Sequence, residues 1–590
     1  MARPSVTILT ERDIQRLSHA SSTKDIHQAL DHIVEVINSE ASVVSLRKLR
    51  AFLEQGSISK HFEQNLYERL LDRLKISNDQ WARIESLAHQ WALLYDTPGL
   101  EHPVQPLVQE MATVIGGKIQ SFPLREGILW DFRLFFPDIH LRFFDEEIHL
   151  ILVTDSRAGP NEFATIKEVI RKHGATMKVT LLMILGNGEQ LREMAKTSSI
   201  EIVVLDEDDC KAIILSSDSR RTFCHRVARR ISVKALQPYQ TQGKVRSRMF
   251  YGRQEEIKRV KSNLSSSFAI YGGRLVGKSS LLHQTGQEFR KDEVYRVCSI
   301  TAQGFTSSTE VCRAILKELN VPTASHRSVL TFERLMRDNL ASHSKRLLIL
   351  IDEVDDLVAL DESDQYRMFE AFHNLNSDFG ERCRFIFAGY RDLARQCMDS
   401  NSRFRNFAEP IRLGNLDPVS ARLLIEEPMC EEMGFRFESD DLVDRILNMT
   451  AGHPNYIQIF CKELSELLER QQRWRIRESD IEHTFHNPDF RARVIETFYV
   501  NFSTLQKLIT ALVVLEGIDE FDLPQVVKLL RSYGLRTSLE DVYRELRQLE
   551  MSFITEQAGA QYHFIHRLFP EMLRESTDLD ALIDVLLPEL

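Results

Sequence analysis

Gly272-Gly273-Arg274-Leu275-Val276-Gly277-Lys278-Ser279 is the stretch whose reading decides the fold. It satisfies the pattern G-x-x-x-x-G-K-[ST] at every fixed position. Glycines let backbone N–H groups turn inward around a phosphate. The Lys278 ammonium can reach β and γ phosphates, and the Ser279 hydroxyl can ligate Mg²⁺. Ser280 continues into a helix whose positive dipole end faces the same anion. So short a motif needs its context. Ser267-Phe268-Ala269-Ile270-Tyr271 before it reads as a buried strand, and Ser279 to Gln284 after it as a helix. The candidate phosphate-binding residues are therefore Gly272, Gly273, Arg274, Val276, Gly277, Lys278, Ser279 and Ser280.

A second element supports the first. Arg346-Leu347-Leu348-Ile349-Leu350-Ile351-Asp352-Glu353 is an unbroken apolar run ending in two carboxylates. Such a run is expected of a central parallel strand covered on both faces. Asp352, at its C-terminal end, would hold Mg²⁺, directly or through water. Glu353 would polarise the water that attacks a γ-phosphate. Alone, the run could equally be a buried strand followed by a solvated acidic loop. It lies 74 residues after Lys278, with strand and helix signals between, and that favours the catalytic reading.

At 590 residues the chain exceeds what one core usually serves, so three or four domains are expected. No apolar run approaches the roughly 20 residues that span a bilayer. Met1-Ala2-Arg3-Pro4-Ser5 lacks the apolar core of a signal peptide, so a cytoplasmic protein with no membrane partner is expected. None of the eight cysteines has C-x-x-C spacing, which points to reduced, mostly buried thiols. A formal charge of −11 argues against indiscriminate coating of nucleic acid.

Residues 1–110 are expected to form a helical interaction domain. Helices fit Asp25 to Ile37, 43–54, 60–75 and 78–95. Residues 125–232 alternate strand and helix, with strands at 148–154, 179–185 and 200–205, and should form a small parallel α/β domain. Asp155 and Asp206 each follow a strand, where ligand sites of such sheets lie. A nuclease could be built there, but no E-x-K triplet follows Asp155. Residues 233–248 read as a linker, 249–414 as the P-loop core and 415–495 as a helical lid. In 500–575, three helices and a β-hairpin give a winged-helix pattern, and 576–590 form a tail.

At this point the chain resembles the signal-transduction ATPases with numerous domains, the STAND group. Within it, the chain is most similar to archaeal-type, origin-recognition-like AAA+ ATPases. The resemblance covers residues 249 to about 575. Phe250-Tyr251-Gly252-Arg253 looks like the family's F-x-G-R box, which borders the adenine of ATP. Gly452-His453-Pro454 looks like its G-x-P motif, whose proline, here Pro454, packs near the base. The resemblance implies an α/β fold: a P-loop AAA+ parallel sheet with a helical lid and a C-terminal winged helix. It also implies ATP and Mg²⁺ as ligands. Ala388-Gly389-Tyr390-Arg391 sits where the family places a sensor for the γ-phosphate, and Arg391 is the candidate. Arg403 and Arg405 are either an arginine finger for a neighbouring subunit or surface arginines. His453 either senses the β-phosphate or caps and packs.

The resemblance implies a slow ATPase acting as a regulatory switch. It would form a homo-oligomer and engage a protein effector or sensor through the N-terminal region, as in bacterial and archaeal signalling and defence. The alternative is a DNA-binding initiator or transposition regulator. Charge disfavours it. Residues 501–590 hold 8 Lys and Arg against 15 Asp and Glu, a net of −7. The expected recognition helix, Ser538 to Leu549, carries Glu540, Asp541 and Glu545 against Arg544 and Arg547, although phosphate contacts need cations. A basic cluster of Arg220, Arg221, Arg226, Arg229 and Arg230 could still bind nucleic acid or could be a solvated face.

Overall fold

The computed structural model describes residue 86 and residues 104–590, except 127–128, 145–146, 154–159, 174–178, 185–187, 199–200, 215, 217, 323–327, 400–401, 500–501 and 553. Apart from residue 86, the helices expected before residue 96 lie outside the described residues, as does Asp155. The chain divides into two compact units. One is Met1–Pro238 with Pro428–Phe435; the other is Tyr239–Glu427 with Arg436–Leu590.

The first unit holds a five-stranded sheet in sequential order: β1 (Lys118–Glu126), β2 (Leu129–Phe135), β3 (Ile148–Val153), β4 (Val179–Ile184) and β5 (Glu201–Leu205). β3, β4 and β5 pair in parallel through the helices Pro160–His173 and Glu189–Lys196. β1 and β2 extend the sheet antiparallel, so it is mixed. The irregular β1, with two register shifts and a proline at its centre, lacks the apolar run that makes β3 legible. Residues Pro428–Phe435 complete this unit. The carboxylate of buried Glu432 accepts from the backbone N–H groups of His140 (2.8 and 3.0 Å) and Leu141 (3.1 Å), and the His140 ring lies 2.6 Å away.

The second unit is built on a parallel sheet ordered β10-β6-β9-β8-β7: β6 (Ser267–Gly272), β7 (Tyr295–Thr301), β8 (Arg346–Asp352), β9 (Cys383–Gly389) and β10 (Ala408–Leu413). The strand period of two explains why β8 is apolar throughout. Leu347, Ile349 and Ile351 enter one buried cluster, and Leu348 and Leu350 the other. β9 divides likewise, with Phe385 and Phe387 on one face and Ile386 and Ala388 on the other. Phe369, Phe372, Phe404 and Phe407 pack on that first face, with ring centroids 4.8–6.3 Å from Phe385 or Phe387. Each such ring contributes roughly 1.5–3 kcal/mol of transfer free energy. This rigid sheet is what holds the loops at its C-terminal edge.

After β10 come the helices Pro418–Glu426, Asp441–Thr450, Pro454–Arg470, Glu478–Phe485 and Pro488–Tyr499. The last part of the chain runs helix Thr504–Leu515, strand Glu520–Phe521, helices Leu523–Ser532 and Leu539–Met551, then strands Thr555–Ala558 and Gln561–Phe564. The three strands form one sheet. The hairpin turns at Gly559-Ala560, where Gly559 takes the positive φ (66°) that the turn needs. Helices Phe569–Ser576 and Leu579–Leu586 close the chain where a tail is expected.

All eight cysteines are free thiols, seven of them buried. Among the described residues, no helix is long and apolar enough to cross a membrane.

Candidate nucleotide site

The loop between β6 and the helix Lys278–Arg290 lies at the C-terminal edge of the sheet. Gly277 caps that helix at φ 101°, a conformation that a side chain resists. The Lys278 ammonium donates to the carbonyls of Gly272 (3.1 Å) and Gly273 (2.6 Å). Among the described residues, no carboxylate pairs with it directly. Burial pulls its pKa down to about 8, against the opposing charges of Glu353, Asp355 and Asp352. A cation held this way gains from a bound anion.

The Ser279 hydroxyl donates to the Asp352 carboxylate at 3.1 Å. Two hard oxygen ligands thus converge, the donor type Mg²⁺ requires. Asp352 is buried at the end of β8 and also accepts from the Glu353 N–H at 3.1 Å. Glu353 adopts a left-handed backbone, φ 56°, without being glycine. Such strain costs about 1 kcal/mol or more and marks functional loops. Desolvation, then the charge of Asp352, raises the Glu353 pKa, while Lys278 opposes the shift. A carboxylate tuned upward is a better proton acceptor near neutral pH.

Asp355, in the same acidic loop, has a role that the sequence did not announce. Its carboxylate accepts from the N–H groups of Tyr390, Asp392 (2.8 Å) and Leu393 (3.3 Å), capping the helix Arg391–Met398. A Cβ at Gly389 would lie 2.8 Å from this carboxylate and 2.9 Å from the Leu393 Cβ. That close approach is why the end of β9 carries glycine and not a polar sensor. Arg391 is the next cation along. Its Nε donates to the Ser552 hydroxyl at 2.9 Å and a terminal nitrogen to the Gln506 carbonyl at 3.2 Å. Its guanidinium lies 5.2 Å from the centre of the Tyr390 ring, and the Lys278 ammonium lies 5.5 Å from the same ring.

One cavity of about 470 Å³ gathers Phe250, Tyr251, Arg253, Arg274, Val276 through Ser280, Glu353, Arg391 and Pro454. Not all of them offer side chains to it. Val276 packs into the core. The Ser280 hydroxyl accepts from the Val245 N–H at 3.1 Å. Arg253 is buried and donates to the carbonyls of Gly414 and Val276, with Gly252 turning at φ 68° before it. Tyr251 donates to Glu427 at 2.7 Å. Asp352, Gly272 and Gly273 stand behind the loop as partners of Ser279 and Lys278. His453 donates from Nε2 to the Arg274 carbonyl at 3.2 Å. Burial holds its pKa down to about 3, so the ring is neutral and can donate to a carbonyl. Arg403 and Arg405 lie on the short helix Arg403–Phe407, and their side chains lie outside the described residues.

A glycine-rich loop after β6, second in the order of a parallel five-stranded sheet, an acidic pair ending the strand two places away and the helices that follow the sheet make up the α/β fold of the P-loop AAA+ type. Residues 234–486 match the family model described as Novel STAND NTPase 1. No curated protein matches the chain. Among solved structures, it is similar to the Walker-type ATPase PABY2304 of Pyrococcus abyssi, at 14% identity over 56% of this chain and 98% of that one, with a TM-score of 0.43. It is also similar to the Aeropyrum pernix ORC2 protein in its ADPNP–ADP complexes, at 14% identity over 58% and 96%, TM-score 0.41. The Aeropyrum pernix ORC1 protein in complex with DNA follows at 15% identity over 58% and 96%, TM-score 0.35. At such scores the likeness is too distant to carry functional detail.

Proposed function

We propose that this chain is an ATP-binding and slowly hydrolysing regulatory switch of the STAND type. One observation carries the reading. Arg391 lines the nucleotide cavity with Lys278 and Glu353, yet its guanidinium is bonded to Ser552 and Gln506 of the C-terminal helices. A γ-phosphate near Lys278 would compete for that guanidinium, because arginine takes phosphate through two parallel bonds between opposite charges, stronger than its bonds to uncharged oxygens. ATP and ADP would then favour different positions of the C-terminal helices, and that difference in binding free energy drives the switch.

In the hydrolytic step, Glu353 takes a proton from water as its oxygen bonds to the γ-phosphorus and the bond to the bridging oxygen breaks. Lys278 and the loop N–H groups meet the charge developing on the departing β-phosphate. Ser279 and Asp352 would hold Mg²⁺, which supplies charge neutralisation on the phosphates. A switch of this kind would assemble as a homo-oligomer and address a protein effector through the N-terminal region, in a bacterial or archaeal defence or signalling setting. Charge supports a protein-packing winged helix over a DNA reader. Arg544 and Arg547 on the helix Leu539–Met551 pair with Asp541 and Glu550 of the same helix. The arginine cluster of the first unit is similarly engaged: Arg226 and Arg230 pair with Asp209, Arg220 with Glu432 and Arg221 with Glu431.

The test is the mass of the full chain in solution with ADP, with Mg-ATP, and with Mg-ATP on Arg391→Ala, each with and without duplex DNA. We expect assembly with ATP alone, and assembly of Arg391→Ala at lower ATP because its C-terminal latch is already released. Assembly only with DNA would replace this reading with the initiator-like one.

A further inference from the structure

One aromatic ring meets both Lys278 and Arg391. The centre of the Tyr390 ring lies 5.5 Å from the Lys278 ammonium and 5.2 Å from the Arg391 guanidinium. All three residues are half-buried and line the same cavity. The backbone that presents the ring is held on both sides. Tyr390 directly follows the buried strand β9, and its N–H donates to the Asp355 carboxylate, which also takes the N–H groups of Asp392 and Leu393.

Two cations that line one cavity repel each other, and desolvation strengthens the repulsion. Carboxylates could offset it, and Asp352, Glu353 and Asp355 already act on Lys278 in this way. Each further carboxylate would also repel a triphosphate. An aromatic face differs: it attracts a cation within about 6 Å while the ring carries no net charge. It can steady two cations and leave both fully attractive to an anion. Lys278 donates to two carbonyls and Arg391 to a hydroxyl and an amide, all uncharged acceptors that a phosphate can displace.

We propose that Tyr390 is a positioning residue whose ring holds Lys278 and Arg391 for the γ-phosphate and so sets how strongly the site prefers ATP to ADP. This rests on the reading of the cavity as a nucleoside-triphosphate site. Both nucleotides meet Lys278 through the β-phosphate, but only ATP offers a γ-phosphate to Lys278 and Arg391 together. Loss of the ring therefore weakens ATP more than ADP. The phenol hydroxyl has no part in this, so phenylalanine serves as well as tyrosine.

The experiment is equilibrium titration of the full chain with Mg-ATP and with Mg-ADP, for the unaltered protein, Tyr390→Phe and Tyr390→Leu. Tyr390→Phe should keep the ratio of ATP to ADP affinity. Tyr390→Leu should lower it about threefold to thirtyfold, chiefly through ATP. A merely structural loss would weaken both nucleotides alike and leave the ratio unmoved. Should Tyr390→Leu fail to fold, fluorinated phenylalanines at position 390 keep the shape of the ring while draining its face of negative charge, and the ratio should fall stepwise with each fluorine. An unchanged ratio in Tyr390→Leu or along the fluorinated series, or an equal fall in Tyr390→Phe and Tyr390→Leu, would overturn the assignment while leaving the nucleotide site intact. Binding of neither nucleotide by the unaltered protein would overturn the nucleotide reading and this inference with it.

Discussion

Both units carry parallel strands ending in aspartate, yet they use those carboxylates in opposite ways. In the first unit Asp206 follows β5, and its pKa is lowered: desolvation opposes the shift, but the Asp209 N–H and Arg192 prevail. Asp209, 1% exposed, is surrounded by Arg192, Arg226 and Arg230 at 2.6–3.2 Å. In the second unit the Asp352 carboxylate accepts from the Ser279 hydroxyl and the Glu353 N–H, and Lys278 rests on two carbonyls. One constellation is closed on itself; the other is arranged around a charge it does not contain. The difference teaches that a carboxylate at a strand's end marks a site only when its neighbours leave its charge unanswered.

The sharpest way to break this comparison is Lys278→Ala. ATP affinity should fall by about a hundredfold or more, because a charge-assisted contact in a desolvated cavity is lost. Retained affinity, measured by calorimetric titration, would show that the loop is as closed as the Asp209 cluster. Glu353→Gln should bind ATP normally and hydrolyse it about a hundredfold more slowly. Unchanged turnover would remove Glu353 from the proton-accepting role.

Asp209→Ala probes the closed side. It leaves three partly buried guanidinium groups facing one another and should cost about 2–4 kcal/mol in urea unfolding, with ATP affinity unchanged. A parallel loss of ATP affinity would mean that the cluster is not confined to its own unit.

The smallest effect is a pH dependence. Lys278 titrates near 8 in the folded chain, below its ordinary value, and a bound polyphosphate raises it again. Below pH 8 the lysine is charged in both forms and contributes no pH dependence. Above it, the free form loses a proton that the complex keeps, so ATP affinity should fall about tenfold per pH unit. Folding stability moves the other way. The unfolded lysine keeps its proton to about 10.5, so the burial penalty on the charged form fades as pH rises through that window. A flat affinity profile between pH 8 and 9 would place Lys278 away from the phosphates.

Much of this molecule was legible in one dimension. The glycine-rich loop, the β8 run and the three helices and hairpin of residues 504–564 could be read because each rests on local periodicity or fixed spacing, whereas the two-residue strand Glu520–Phe521 and the last two helices were not. β1 could not, since an edge strand with register shifts and a proline carries no periodic signal. Nor could the roles of Asp355 and Tyr390. Asp355 looked like one more carboxylate in an acidic loop until the fold set the N–H groups of residues 390–393 upon it. Arg391 was singled out from its place after β9, but nothing in its neighbours foretold Ser552 and Gln506, over 100 residues away.

The elements whose physics is local were set by the residues alone: the glycine-rich turn, the strand apolar on both faces, and the acidic pair that ends it. Only the tertiary structure decided which charges are answered and which are left open. Pairing depends on residues distant in the chain arriving within about 3 Å of one another, and burial, which makes an unpaired group costly, exists only once the chain has folded.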